Sequence, residues 1–207
     1  MNRLKSYYHK LILNQDVVIP IALATFIAIA AGGPAVCGCN SRQSITTTDC
    51  LPHLALIDQN GKSVTLSSLK GRPVLVDFIY TSCPGPCLTL TKSMERVADR
   101  LGPALGSQVT FVSISIDPEH EGPPQMQAYA KAQSADRAGW LFLSGGPADV
   151  DSAMAAFNLK REREPDGSIE HVEDVILVGP DGHAIKEYKG NVVHPDSVIA
   201  DIQKASG

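Results

Sequence analysis

The chain has 207 residues, of which 43% are hydrophobic and 19% are charged. This composition predicts one globular domain with an appendage, and it excludes wholesale disorder, a collagen-like polymer and a polytopic membrane protein. The formal net charge of -4 argues against a nucleic-acid-binding protein, because such proteins are usually basic.

The first fifty residues are predicted to contain a membrane-targeting segment followed by a linker. Residues 17–36 are uncharged and mostly apolar or small, and about 20 such residues span a bilayer as a helix. Because basic residues precede this segment, the positive-inside rule predicts a cytoplasmic segment at 1–16, a membrane anchor at 17–36 in the inner membrane, and a domain in the periplasm. A cleavable signal peptide at 17–36 is one alternative, and acylation of Cys39 in a lipobox-like sequence is another. The polar residues 37–50 are expected to be a linker.

Residues 51–207 show the apolar periodicity of alternating strands and helices. A hairpin around Asn60-Gly61 is followed by a buried strand and then at once by a helix that Gly102 ends. In chain order, the predicted strands are 54–58, 62–66, 73–80, 109–116, 140–145, 174–179 and 183–190, and the predicted helices are 90–101, 123–135, 148–159 and 195–205. This order predicts an α/β, thioredoxin-like fold, with a central mixed sheet flanked by helices, in addition to the N-terminal membrane-anchor helix.

The sharpest motif is Cys83-Pro84-Gly85-Pro86-Cys87, which stands between a buried strand and a helix. Ligand sites of open α/β sheets lie beyond the carboxyl ends of strands. A helix amino terminus favours the thiolate, which is the form that attacks disulfides and binds metals. The motif therefore predicts a metal-binding or redox-active pair at Cys83 and Cys87. A structural disulfide or two buried thiols is the alternative interpretation.

Several further motifs follow one another in order along this domain. They are Asp58-Gln59-Asn60-Gly61-Lys62, Leu69-Lys70-Gly71, the run from Tyr80 to Cys87, and Ser115-Ile116-Asp117-Pro118-Glu119. A histidine, His171, stands eight residues before a Gly-Pro-Asp-Gly turn that begins at Gly179. The arrangement resembles the Sco/SenC family, the membrane-anchored, thioredoxin-like copper proteins of cytochrome c oxidase assembly. The resemblance implies a site for copper, as Cu(I) or Cu(II), whose ligands are Cys83, Cys87 and His171.

Two thiolates and one imidazole form a soft donor set that suits copper or zinc, and three ligands leave coordination positions open for transfer. The resemblance therefore implies a copper metallochaperone more than an enzyme. Its expected partner is the copper-bearing subunit of cytochrome c oxidase or another copper protein. Two alternatives use the same residues: a thiol-disulfide reductase, in which Cys83 attacks and Cys87 resolves, and a redox or copper sensor. The lack of proline between Asp166 and Gly179 favours metal binding over generic disulfide exchange.

Two charged features lie outside these motifs. Asp77 falls within a predicted buried strand, where a carboxylate is costly unless it is paired. Three interpretations of this carboxylate stay open: it tunes the nearby thiols, it is exposed at the sheet edge, or it has a structural partner. The alternating charges of residues 160–164 are expected to form a solvated loop.

Overall fold

The computed structural model describes residues 49–207. The cytoplasmic segment at 1–16, the anchor or signal at 17–36, Cys39 and most of the linker at 37–50 lie outside the described residues. None of the helices within 49–207 has both the length and the apolar character needed to cross a membrane.

The described chain alternates strands and helices, as the periodicity predicts. The strands are β1 (Ala55–Asp58), β2 (Ser63–Thr65), β3 (Val74–Ile79), β4 (Thr110–Ser115), β5 (Trp140–Ser144), β6 (Glu162–Arg163), β7 (Ile169–Glu170), β8 (Val175–Val178) and β9 (Ala184–Tyr188). The helices are α1 (Pro86–Leu101), α2 (Pro123–Ala132), α3 (Pro147–Ala156) and α4 (Pro195–Ala205).

Seven of these strands form one mixed sheet in the order β2-β1-β5-β4-β3-β8-β9. The strands β3, β4 and β5 run parallel, whereas β1 and β8 pair antiparallel with β5 and β3. The predicted thioredoxin-like architecture, a central mixed sheet with helices, is confirmed.

The pairing of the central strands places three loops at one edge of the sheet. Every residue of β3 and β4 is buried, and their parallel register aligns Ile79 with Ser115 at the carboxyl ends. Because β8 runs antiparallel to β3, the residues that precede β8 also lie at this edge. The cysteine loop after β3, the loop after β4 and the segment before β8 therefore meet there.

The segment between α3 and β8 departs from the sequence prediction. The helix ends at Ala156, earlier than the predicted residue 159, and β6 pairs with β7 as a separate two-stranded hairpin. The prediction of a solvated loop at 160–164 is wrong for Arg161, whose side chain is only 13% exposed. Its guanidinium pairs with carboxylates that are distant in sequence, and charge alternation alone does not reveal such partners.

A close backbone approach constrains the opposite edge of the sheet, where β5 begins. Gly139 has a φ of +86°, and a Cβ at this residue would lie 2.3 Å from the backbone nitrogen of Gly106. Only glycine fits, because both the conformation and the space exclude a side chain.

We expect Gly139→Ala to lower the free energy of unfolding much more than Gly61→Ala does. Gly61 also has a positive φ, +79°, but a Cβ added there would meet nothing within 4 Å, so alanine at this position costs only about 1–2 kcal/mol of backbone strain. Urea unfolding of both variants measures the difference. Equal losses would show that the contact with Gly106 is not restrictive.

Candidate metal centre

Cys83 and Cys87 lie where β3 passes into α1. Cys87 is in the first turn of the helix, and its backbone N–H donates to the Cys83 sulfur, with an N···Sγ distance of 3.4 Å. Both residues are reduced thiols, and they are 7% and 1% exposed respectively. Cys83 is therefore the more accessible of the pair, which agrees with its predicted role as the attacking thiol.

Burial controls the protonation of Cys87. Desolvation raises the pKa of its thiol far above the usual range, and the side-chain hydrogen bond with Cys83 raises it further. The prediction that the helix amino terminus favours a thiolate is therefore wrong for Cys87, because desolvation outweighs the helix dipole. A metal ion that binds the Cys87 sulfur must displace a proton.

His171 lies between β7 and β8, and the fold brings it to Cys87. Its Nε2 atom is 3.9 Å from the Cys87 sulfur, and its ring makes an edge contact with Tyr80, with 5.9 Å between ring centroids. The Nδ1 atom is 3.1 Å from the carbonyl oxygen of Val172, which can only accept a hydrogen bond. In the neutral ring, Nδ1 therefore carries the hydrogen, and the lone pair on Nε2 faces the sulfur. Burial lowers the pKa of His171, which favours this neutral form.

Two buried tyrosines, to which no role was assigned from the sequence, border the thiols. The Tyr129 hydroxyl donates to the carbonyl oxygen of Cys87 at 3.4 Å and lies 2.9 Å from Thr91 Oγ1. Burial raises the pKa of both Tyr80 and Tyr129, so both phenols are neutral at physiological pH. No spacing in the sequence identifies Tyr129, because its contact with Cys87 depends on the packing of α2.

Asp77 lies in the middle of β3 and is fully buried. Its Oδ1 accepts a hydrogen bond of 2.6 Å from Ser113, whose Oγ in turn accepts one of 3.0 Å from Trp140 Nε1, whereas Oδ2 has no hydrogen-bond partner. Burial raises the pKa of Asp77 to about 7. Of the open interpretations, a structural partner is therefore confirmed and exposure at the sheet edge is wrong. The charge of Asp77 also contributes to the raised pKa of Cys87.

The loop after β4 contacts the cysteine arm, residues 80–87, through Glu121. This buried carboxylate accepts the backbone N–H of Thr81, two residues before Cys83, and a hydrogen bond of 2.5 Å from the Ser115 hydroxyl. Glu121 thus anchors the start of the cysteine loop to the end of β4.

The same loop contacts the histidine arm, which is the β6–β7 hairpin with its flanking residues (161–171), through two ion pairs. Arg161 forms a bidentate pair with Glu119, at 2.8 and 2.9 Å, and Arg163 pairs with Asp117. The guanidinium of Arg161 is the main cause that lowers the pKa of Glu119 to about 2. These ion pairs were not predicted from the sequence. The usable signal was the spacing of two between the arginines, which places both on one face of an extended strand.

The donor atoms suit a soft metal ion in type, and the spacing of Cys87 and His171 suits one ion between them. Between residues 49 and 207, no three side chains of His, Cys, Asp or Glu stand close enough together to hold a metal ion as they are. The Cys87 and His171 donors are nevertheless 3.9 Å apart, which is less than ~4.3 Å, the sum of typical metal–thiolate and metal–imidazole distances. One ion therefore fits between these two atoms, and a three-donor site requires the histidine and cysteine arms to draw together.

Comparisons with known proteins agree on one family. A sequence model described as SCO1/SenC matches residues 42–207. The SCO1 protein homolog of Bacillus subtilis (strain 168) is 34% identical over 153 residues, which cover 72% of this chain and 79% of that protein.

Solved structures of the same family are also similar. BsSco, described with a disulfide switch and as a member of the Sco family of cytochrome c oxidase assembly proteins, is 32% identical with a TM-score of 0.67, and the match covers 78% of this chain and 95% of that one. ScoI of Bradyrhizobium japonicum, solved with copper bound, is 30% identical with a TM-score of 0.65, and the match covers 73% and 96% of the two chains.

The raised pKa of Asp77 predicts a pH-dependent stability that Asp77→Asn removes. The carboxyl titrates at about 7 in the folded protein and at about 3.9 in an unfolded chain, so folding takes up a proton between these values. The free energy of unfolding of the wild type is therefore expected to fall as the pH rises from about 5 to about 8, and to fall less in Asp77→Asn.

Urea unfolding at both pH values measures this difference. Asp136→Asn, which alters an exposed carboxyl, is the matched control and should follow the wild type. Parallel pH profiles for the wild type and Asp77→Asn would contradict the prediction.

Proposed function

The chain belongs to the SCO1/SenC family, and from this premise we propose that it is a metallochaperone that binds copper through Cys83, Cys87 and His171. The observation that carries the proposal is the 3.9 Å approach of His171 Nε2 to the Cys87 sulfur, across 84 positions of sequence. This approach adds an imidazole to a pair of thiols, and that soft donor set suits copper. The copper-bound structure of the Bradyrhizobium japonicum relative supports copper as the cargo.

The protonation states of Cys87 and His171 affect how copper is loaded and released. Cys87 is protonated before metal arrives, so binding is coupled to proton release, whereas His171 is neutral and presents a lone pair. Three protein donors leave positions open on the ion, where donors of an acceptor protein can enter while the protein's own ligands leave.

The proposed acceptor is the copper-bearing subunit of cytochrome c oxidase or another copper protein. The description of BsSco as a member of a family of cytochrome c oxidase assembly proteins supports this choice. Leu88 and Val172, which directly follow two of the proposed ligands, are exposed apolar residues and offer an acceptor a surface for docking. Attachment to the inner membrane through residues 17–36, with the domain in the periplasm, stays a prediction.

We expect His171→Ala to weaken copper binding by about tenfold or more while the fold stays intact, because the substitution removes the only imidazole of the proposed ligand set. The thiols of the full chain are reduced first and the reductant is removed. The chain is then titrated with copper under anaerobic conditions in a Cys37→Ser/Cys39→Ser background, so that these two thiols do not contribute. Competition with a chelator measures the affinity, and absorption and electron paramagnetic resonance of the Cu(II) form report the ligand change.

The exposed His53 provides the control, since His53→Ala removes an imidazole outside the site. The ligand assignment fails if His171→Ala and His53→Ala bind copper equally well.

A reversible disulfide between Cys83 and Cys87 is the second candidate function. The side-chain hydrogen bond between the two thiols favours it, as does the disulfide switch described for BsSco. As a reductase, Cys83 attacks a substrate disulfide and releases one substrate thiol. Cys87 then displaces the second thiol, so the protein is oxidised by two electrons and the substrate is reduced.

This candidate predicts an asymmetry between the two cysteines. With oxidised glutathione as the probe, Cys87→Ser should accumulate a mixed disulfide at Cys83, because the resolving thiol is missing. Cys83→Ser should not form one at the buried, protonated Cys87. Mass spectrometry in the Cys37→Ser/Cys39→Ser background distinguishes the adducts, and the absence of an adduct in both variants would refute the reductase.

A further inference from the structure

The hairpin that carries His171 has little packing of its own. The strands β6 and β7 form a two-stranded sheet apart from the central sheet, and both residues of β6 are exposed. Of the four residues in the two strands, only Ile169 is buried. An isolated two-stranded hairpin is marginally stable in water. The position of His171, one residue after β7, therefore depends on contacts outside the hairpin.

Arg161, at the start of this hairpin, makes the most extensive of these contacts. Its two terminal nitrogens bind both carboxylate oxygens of Glu119, and one of them also donates to the carbonyl oxygen of Ile116 at 3.0 Å. Its Nε binds Asp151 on α3 at 2.9 Å. All three guanidinium nitrogens are thus used, and a bidentate arginine–carboxylate pair is among the stronger polar contacts in proteins. Arg163 makes a comparable but more exposed contact, since its side chain is 35% exposed against 13% for Arg161.

Glu119 connects this contact to the other arm of the site. It stands two residues before Glu121, the buried carboxylate that accepts the N–H of Thr81 at the start of the cysteine loop. Both arms of the site are therefore fastened to the single loop that follows β4. One glutamate of this loop contacts the cysteine arm, and the other contacts the histidine arm.

We infer that Arg161, acting through Glu119, is the positioning residue that keeps His171 at Cys87. Without this pair the hairpin separates from the loop after β4, and the imidazole leaves both Tyr80 and the Cys87 sulfur. The consequence for copper, a site reduced to two thiols, rests on the proposed function. The contact between the Tyr80 and His171 rings exists without metal, so it tests the positioning role independently.

The experiment compares Arg161→Ala with Arg137→Ala in the full chain, in the Cys37→Ser/Cys39→Ser background. Arg137 is a matched control because it also binds a carboxylate, Asp99 on α1, at 2.6 Å, and donates to the Ser134 carbonyl oxygen. In metal-free protein, nuclear Overhauser effects between the Tyr80 and His171 rings report the position of the imidazole. In copper-loaded protein, chelator competition measures the affinity, and the electron paramagnetic resonance spectrum of the Cu(II) form reports whether the imidazole is bound.

Arg161→Ala is expected to lose the ring-to-ring effects, to bind copper about tenfold or more weakly, and to give the Cu(II) spectrum of His171→Ala. Arg137→Ala is expected to keep all three properties of the wild type, even where its melting temperature falls. Retention of the ring contact in Arg161→Ala overturns the inference. If the wild type binds no copper, the proposed function fails, and the ring contact alone still decides the positioning role.

Two further variants cover the case in which Arg161→Ala does not fold, and they test the route through Glu119. Glu119→Gln keeps the side chain but removes its charge, and it is expected to weaken the ring contact in the same way. Arg161→Lys keeps the charge but loses the bidentate geometry, so it should restore the contact only in part. In the double variant Arg161→Ala/Glu119→Gln, the loss should not exceed that of Arg161→Ala. Additive losses would show that the two residues act separately and would refute the positioning role through Glu119.

Discussion

The parallel pairing of β3 with β4 is the constraint on which the site depends. Because Val74 to Ile79 align with Thr110 to Ser115 in unbroken register, both strands end at the same edge of the sheet. The cysteine loop and the carboxylate-rich loop after β4 are therefore neighbours, although they are far apart in sequence. The antiparallel pairing of β8 with β3 then returns the chain to this edge, so that His171 reaches Cys87.

Desolvation sets the electrostatic character of the site more than the helix dipole does. Cys87 and Tyr129 are buried, and burial favours their neutral forms. The nearby Asp77 is also buried, with one oxygen bound to Ser113 and the other without a hydrogen-bond partner. The neutral, buried thiol of Cys87 binds a cation only as its proton leaves. Metal affinity is therefore coupled to proton release, which suits the proposed metallochaperone function.

The two arms of the site differ in how they are supported. The cysteine arm lies between a fully buried strand and a four-turn helix, and it is further anchored by Glu121. The histidine arm is a small hairpin whose main attachment is electrostatic, through Arg161 and Glu119. Rigid thiols combined with a separately attached imidazole give the site one donor that can be withdrawn without disturbing the core. This division is consistent with release of a metal to an acceptor.

Sequence patterns alone predicted the central elements and the chemically reactive loop. The apolar runs at 73–80 and 109–116 predicted buried strands. The helical periodicity at 90–101 predicted the helix after the cysteine loop, which begins four residues earlier, at Pro86. The resemblance to the Sco/SenC family also indicated His171, since its spacing to the Gly179 turn matches that of the family's histidine. The strands, the helix and the loop are local features, because periodicity and turn chemistry act over a few residues.

Which distant groups meet, and how burial changes them, depends on the tertiary structure. The partner of Asp77 follows from strand register, the raised pKa of Cys87 from the packing around it, and the burial of Arg161 from carboxylates on other elements. A run of alternating charges has the same sequence pattern whether its partners are water or carboxylates. Whether a charged side chain is hydrated or paired with a carboxylate depends on which distant elements lie beside it. Those elements come together only when the sheet has assembled.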